Sequence, residues 1–325
     1  MNFLISTFIF IISVNSCISS AGDNSMHFLK CVEKCTNLNC ADALNINFLV
    51  SDQQPLHLRL LNWNCGDECK HECMWKTVEN FHQRGLNTPQ FYGKWPFIRV
   101  LGIQEPASVL FSLLNFYMHL KMIMKFRKEV RPDSPCYWLW HIFCLVCLNA
   151  WVWSTVFHTR DSHFTELMDY ACAFSMILIT CYTMVHRILR NVVMQSILII
   201  IATFFLAFFF SHVTYLSQGR FDYKYNMIVN ILVGTTTGAC WFVWCTLVRH
   251  RQSYVWKCAI FVALTGMVLL LEVADAPPFL YLIDCHALWH LSTAILIPLY
   301  YSFAIDDCKY MRKQEAEKTP IKKRP

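Results

Sequence analysis

Two pairs of polar side chains stand at the ends of long apolar runs, and the members of each pair are four residues apart. Ser154 and His158 form one pair in NAWVWSTVFHTRD, and His286 and His290 form the other in DCHALWH. Four residues is about one helical turn, so each pair shares a helix face. Asp169 opens a further apolar run. Because ionisable groups inside spanning helices usually mark a functional site, these five residues are the candidate chemical centre.

Three histidines and a carboxylate are the components of a hydrolytic zinc site. Catalytic zinc has three protein ligands and an open position for water. His286 and His290 can bind one ion from a single helix turn, and His158 can complete the set from another helix. The pKa of the bound water would fall to about 7. Asp169 would then orient that water or accept its proton, and Ser154 would donate a hydrogen bond to the oxyanion that forms.

The same residues allow other interpretations. An H-x-x-x-H pair without the glutamate of the zincin motif often arises by chance, and histidines also form hydrogen bonds between spanning helices. Asp161 and His163 lie beside His158 and are rival ligands, although a loop holds them less rigidly than a helix end would. Ser154 could instead be a covalent nucleophile activated by His158, which leaves the late histidine pair unexplained.

Two carboxylates near the late pair receive different interpretations. Asp284, two residues before His286, is a candidate partner that orients the imidazole. Glu272 and Asp284 both belong to an acidic loop that is expected to be solvated, and the orienting role is the alternative for Asp284 alone.

The elements that position these residues are spanning helices. A chain of 325 residues that is 55% hydrophobic and 15% charged is too apolar for an ordinary soluble domain. We predict an all-α membrane protein with a seven-helix transmembrane bundle and a small disulfide-rich N-terminal lumenal domain. Seven runs have the roughly 20 apolar residues that a bilayer requires: Pro106–Met124, Tyr137–Phe157, Met168–Val185, Val192–Phe210, Tyr225–Val248, Val255–Val273 and His286–Ile305.

Four segments are expected along the chain. Residues 1–21 have the short apolar core and small-residue end of a signal peptide, with cleavage near Ala21. Residues 22–104 form the cysteine-rich lumenal domain, 105–305 the seven-span hydrolase domain, and 306–325 a charged, disordered cytosolic tail. Delivery to an oxidising lumen favours disulfides over zinc for the six lumenal cysteines, whose fifteen possible pairings stay open: Cys31, Cys35, Cys40, Cys65, Cys69 and Cys73.

The basic residues predict the orientation of the bundle. With a lumenal N-terminus, the four cytosolic segments hold 17 Lys and Arg, whereas the three lumenal loops hold only Arg160, Arg220 and Lys224. This positive-inside bias places the five candidate residues on the lumenal side. The net charge of +6 follows from topology and gives no reason to expect a nucleic-acid partner.

The last residues of the tail carry a possible sorting signal. Lys322 and Lys323 are fourth and third from the end, which resembles the dilysine signal that a retrieval coat reads to return membrane proteins to the endoplasmic reticulum. An ordinary basic tail would have the same composition.

Several blocks together resemble the family of post-GPI attachment to proteins factor 3. These blocks are LNWNCGDECKHECMW, FYGKWPF, GIQEPASVLFSLLNF, NAWVWSTVFHTRD, TELMDY and DCHALWH. The wider superfamily of seven-span hydrolases includes the alkaline ceramidases, and its pattern falls here on Ser154, His158, Asp169, His286 and His290.

The resemblance implies a function in lipid remodelling. A member of this family would be a GPI-specific phospholipase A2-like hydrolase that removes the unsaturated sn-2 acyl chain of GPI-anchored proteins and leaves a lyso-GPI intermediate. By the same resemblance, His158, His286 and His290 would bind zinc, and the protein would reside in the Golgi membrane, with the endoplasmic reticulum as the alternative.

Two other classes of function fit a seven-span chain. A receptor or transporter has the same topology, although transporters usually place polar groups near mid-membrane. A non-catalytic factor that binds GPI-anchored cargo through the cysteine-rich domain is the other, and it predicts that substitutions at the candidate site are harmless.

Overall fold

The computed structural model describes residues 20–42, 44, 46–49 and 54–318. The predicted signal peptide lies almost entirely outside these residues, and so do Lys322 and Lys323. The described residues form helices joined by turns and three isolated β-bridges, with no strand. They divide into two compact units: one holds the chain up to Gln104 together with Pro277–Leu282, and the second holds Glu105–Ala276 and the chain from Ile283 onward.

The first unit is built on two disulfide-linked helices. It contains α1 (Met26–Asn39), the short α2 (Leu56–Leu60) and α3 (Cys65–Gln83). Ser25 caps α1, and Asn64 with Asp67 forms a capping box at α3, so both helix starts have the expected side-chain acceptors. Phe28 of α1 packs against Val78 of α3 in a small core.

Three disulfides confirm the predicted bridges and settle their pairing. Cys31 pairs with Cys73, Cys35 with Cys69, and Cys40 with Cys65. The numbers rise along α1 as they fall along α3, so the two helices are antiparallel. The four-residue spacing in α3 places its three sulfur atoms on one face of the helix.

The second unit contains seven helices long and apolar enough to cross a membrane, which confirms the predicted fold class. Most helices extend beyond the predicted runs, because the apolar count omits their polar first and last turns. Their bounds are α4 (Pro106–Glu129), α5 (Tyr137–Thr159), α6 (His163–Leu189), α7 (Gln195–Leu216), α8 (Tyr223–Val248), α9 (Trp256–Val273, preceded by a 3₁₀ turn at Ser253–Val255) and α10 (Cys285–Lys318).

Helix α10 is the most buried of the seven and organises the bundle. It packs against α4 and α9, and α5 packs against α4 and α6. Helices α7, α8 and α9 are mostly uncovered and present apolar side chains outward, as lipid-facing helices do. Consequently α4, α5, α6 and α10 bring side chains into the interior.

The prediction that residues 306–325 are disordered is wrong for residues 306–318, which continue α10. Asp307 is buried and accepts hydrogen bonds from Nε and Nη2 of Arg187 and from the Tyr254 hydroxyl. Lys309 contacts Glu129, and Arg190 contacts Glu315. Charged residues of this segment, which were predicted to be solvated, therefore form ion pairs with residues of other helices.

Candidate metal centre

The candidate residues come from helix ends that meet in the second unit. His158 is in the last turn of α5, and His286 and His290 occupy the first two turns of α10. Glu105 immediately precedes α4, and its backbone N–H donates to the carbonyl oxygen of His158 at 3.0 Å. This bond joins the start of α4 to the end of α5.

The three imidazole rings point their Nε2 atoms toward one another. The Nε2 atoms of His286 and His290 are 2.8 Å apart, and those of His286 and His158 are 3.3 Å apart. His158 and His290 are buried, with 3% and 2% of their surface exposed. His286 is partly exposed, so one side of the cluster is open to a small ligand.

Each imidazole is oriented from behind through Nδ1. The Nδ1 atom of His158 lies 2.7 Å from Oε2 of Glu105, and that of His286 lies 2.6 Å from Oε2 of Glu272. The Nδ1 atom of His290 lies 3.0 Å from the hydroxyl of Ser112. Carboxylates behind metal-binding histidines fix the tautomer and the ring orientation.

This arrangement fits a bound metal. An ionised carboxylate only accepts hydrogen bonds, so His158 and His286 donate from Nδ1, and in their neutral form each carries a lone pair on Nε2. Lone pairs that face one another at these distances repel unless a metal cation or a shared proton lies between them. Tetrahedral zinc with bonds of about 2.0–2.1 Å separates its ligands by about 3.3 Å, which matches His158 and His286, whereas the 2.8 Å between His286 and His290 has to widen when zinc binds.

Ser154 is connected to the cluster through a residue that the sequence analysis did not identify. Its hydroxyl lies 3.0 Å from the hydroxyl of Ser112, and both serines are buried. When Nδ1 of His290 holds the proton, that N–H donates to Ser112, and Ser112 can donate to Ser154. The Ser154 hydroxyl hydrogen then stays free for a substrate atom.

Helix α10 is held against α4 by a second buried side chain. The amide nitrogen of Asn115 donates to the carbonyl oxygen of His290 at 2.7 Å, and Thr293 donates to the Asn115 amide oxygen. This pair fixes the height of His290 along the bundle.

Asp169 lies near the cluster without a hydrogen bond to it among the described residues. Its charge interacts with the imidazoles of His158 and His286. A carboxylate at this position can accept a proton from a molecule held between it and the histidines. His163 is exposed at the first position of α6, and no group of possible metal ligands found among the described residues contains it or Asp161.

The structure gives the role of orienting His286 to Glu272 and not to Asp284. Asp284 accepts a hydrogen bond from the backbone N–H of Ala287 and so caps α10. Burial raises the pKa of the Asp284 carboxyl, and the Ala287 N–H opposes that rise. Glu272, read from the sequence as solvated, is the residue that holds His286.

A periodic signal in α4 could have revealed Ser112. Four polar residues recur at intervals of three to four in an otherwise apolar run, which places them on one helix face. All four are buried: Ser108, Ser112, Asn115 and His119. Glu105 has no comparable signal, because its role depends on the packing of α4 against α5.

Comparison with known proteins decides the family. Residues 55–308 match the profile of the Per1-like family. The chain belongs to the Per1-like family.

The relatives match over most of their length. A Drosophila melanogaster protein named post-GPI attachment to proteins factor 3 is 48% identical over 89% of each chain. A Homo sapiens protein named GPI-specific phospholipase A2-like PGAP3 is 41% identical over 92% of each chain. A Xenopus laevis protein of that second name is 42% identical over 91% of this chain and 92% of its own. No solved structure matches.

Membership of this family agrees with the resemblance found in the sequence, and the relatives' names support a part in GPI-anchor processing at a membrane.

Proposed function

We propose that this Per1-like protein hydrolyses the sn-2 acyl ester in the glycerolipid of GPI-anchored proteins and leaves a lyso-GPI product. The relatives named GPI-specific phospholipase A2-like support this class of reaction, because phospholipase A2 denotes cleavage at the sn-2 ester. The observation that carries the proposal is the convergence of three histidine Nε2 atoms, each ring being held from behind at Nδ1.

His158, His286 and His290 would hold zinc. Bound zinc would supply a Lewis acid that makes water nucleophilic near neutral pH. The carboxylates of Glu105 and Glu272 keep two of the rings in the tautomer that a ligand requires.

Asp169 would act as the general base. Its charge interacts with the imidazoles of His158 and His286, and it makes no hydrogen bond to them among the described residues, so it remains available to accept a proton from water. Ser154 would donate its hydroxyl hydrogen to the oxyanion that develops as the ester carbonyl is attacked.

The hydrogen bonds favour an oxyanion donor over a covalent nucleophile at Ser154. A nucleophilic serine needs a base within hydrogen-bond reach. Nδ1 of His158 lies against Glu105 and Nε2 points to His286 in the histidine cluster, while the hydroxyl of Ser154 lies against that of Ser112.

The proposed setting is the lumenal face of the Golgi membrane, with retrieval to the endoplasmic reticulum through Lys322 and Lys323. The count of basic residues supports the lumenal side and the tail sequence supports retrieval, whereas the Golgi address rests on the family resemblance.

A hydrolysis assay tests the function. Purified protein is incubated with a GPI-anchored protein that carries a labelled sn-2 acyl chain, and the released fatty acid is measured. We expect release by the native chain and by His163→Ala, and none above background by His290→Ala at equal abundance. Equal release by His290→Ala would exclude the metal-site mechanism, and no release by the native chain would favour a non-catalytic cargo factor.

A further inference from the structure

The first unit contains a cleft that takes no part in the metal centre or the disulfides. It opens beside the second half of α3 with a volume of about 580 Å³, within the range of about 300–1,000 Å³ typical of small-molecule sites. Its lining consists of Trp75, Val78, Glu79, His82, Gln83 and Tyr281.

The lining combines two aromatic rings with a polar rim. The rings of Trp75 and Tyr281 meet edge to face, with centroids 5.0 Å apart and an interplanar angle of 89°. Glu79, His82 and Gln83 follow one another on a single face of α3, because their spacing is three and four residues. All three are exposed and can exchange hydrogen bonds with a ligand.

Backbone conformation fixes Tyr281 in this cleft. Leu280 and Tyr281 are consecutive residues with positive φ, 51° and 57°, which is uncommon for bulky side chains. The carbonyl oxygen of Tyr281 accepts from the Ile98 N–H at 3.0 Å, and its hydroxyl lies 3.4 Å from that of Thr88. Strained conformations of this kind persist where the surrounding structure holds them and are concentrated at ligand sites.

The chemistry of the lining selects among ligands. No lysine or arginine is among the described residues that line the cleft, so a phosphate group finds no positive side chain there. A sugar ring has an apolar face of C–H groups and a rim of hydroxyls. Aromatic rings suit that face, and carboxylate, amide and imidazole groups suit those hydroxyls.

We propose that this cleft binds the glycan of the GPI anchor. The proposal rests on the function proposed above, which makes a glycolipid the substrate. Tyr281 lies in the sequence between Glu272 and His286, so one connecting segment carries both the cleft residue and, at its two ends, residues of the metal centre.

The experiment uses the full chain with His290→Ala, so that binding is measured apart from hydrolysis. The probe is the lipid-free glycan released from a GPI-anchored protein and stripped of its polypeptide, titrated by calorimetry. The cleft variant carries Glu79→Ala with Gln83→Ala. The matched control carries Glu72→Ala with Lys76→Ala, an exposed pair on the same helix with the same four-residue spacing.

We expect glycan binding by the unmodified cleft and by the control, and a loss of about tenfold in the cleft variant, since two hydrogen bonds are removed. Equal affinity in both double variants, or no glycan binding at all, would overturn the proposal. Binding of the polypeptide alone in place of the glycan would also overturn it. Hydrolysis without glycan binding refutes only this inference, and glycan binding without hydrolysis by the native chain refutes only the proposed function.

Discussion

At the scale of single residues, the direction of the hydrogen bonds around His290 determines what Ser154 can do. If Nε2 of His290 is a metal ligand, Nδ1 must carry the proton and donate to Ser112. Ser112 then donates onward, and the Ser154 hydroxyl keeps its hydrogen for the substrate.

This chain of donors predicts graded effects of two substitutions. We expect Ser154→Ala to lower kcat by about 10²- to 10³-fold, the loss typical of one oxyanion donor. Ser112→Ala should cause a smaller loss, because the Ser154 hydroxyl remains but loses its orientation. Ser154→Ala should retain zinc, whereas Ser112→Ala also removes the partner of His290 Nδ1 and should weaken zinc binding. An acyl group trapped on Ser154 during turnover would contradict the donor role.

The contacts of Glu272 and Asp284 predict that substitutions at these two residues change zinc affinity to different extents. Glu272→Gln should weaken zinc binding by about 10- to 100-fold, because the amide no longer fixes the proton on Nδ1 of His286. Asp284→Asn should leave zinc affinity nearly unchanged, since asparagine also caps a helix. Competition with a fluorescent chelator measures both affinities. A larger loss of zinc affinity in Asp284→Asn than in Glu272→Gln would mean that Asp284 orients His286.

At the scale of elements, α6 and α10 are locked by a buried ion pair distant in sequence from the histidines. Asp307 has 1% of its surface exposed and forms a two-point contact with Arg187. Removing one partner leaves the other charge buried without compensation.

We therefore expect Asp307→Asn to destabilise the protein by about 3–5 kcal/mol. Glu315→Gln serves as the control, because its contact with Arg190 is half exposed and such pairs contribute about 0–1 kcal/mol. Thermal unfolding of the purified variants measures the difference. Equal midpoints for the two variants would mean that Arg187 has another way to compensate its charge.

The sequence predicted elements better than contacts between them. Each of the seven spans is marked by a run of apolar residues, and the spacing of Ser154, His158, His286 and His290 is visible within two helices. Glu105 and Ser112 could not be assigned, because their partners lie 53 and 178 residues away and only helix packing brings them together. The helical end of α10 was not predicted for the same reason. From the sequence alone Asp307 was expected to be solvated, and only helix packing shows that it is buried against Arg187.

At the scale of the whole molecule, the positive-inside bias predicts which ends of the chain face the lumen. The native sequence contains no Asn-x-Ser/Thr acceptor for glycosylation, so an introduced acceptor reports on one position only. Arg84→Asn with Leu86→Thr creates an acceptor at exposed positions of the first unit. Glu315→Asn with Glu317→Thr creates one near the end of α10.

We expect a glycan on the first variant and none on the second, detected as a mass shift that an endoglycosidase removes. A glycan at the end of α10 would place that end in the lumen and would contradict the orientation derived from the basic residues.

The most direct test of the account is the zinc content of the purified chain, measured by mass spectrometry of the metal. We predict about one zinc per chain in the native protein and in His163→Ala, the ratio expected for a single three-histidine site. His158→Ala, His286→Ala and His290→Ala should each lose the metal while remaining folded. A native chain without zinc, or single-histidine variants that keep it, would contradict the proposed metal centre.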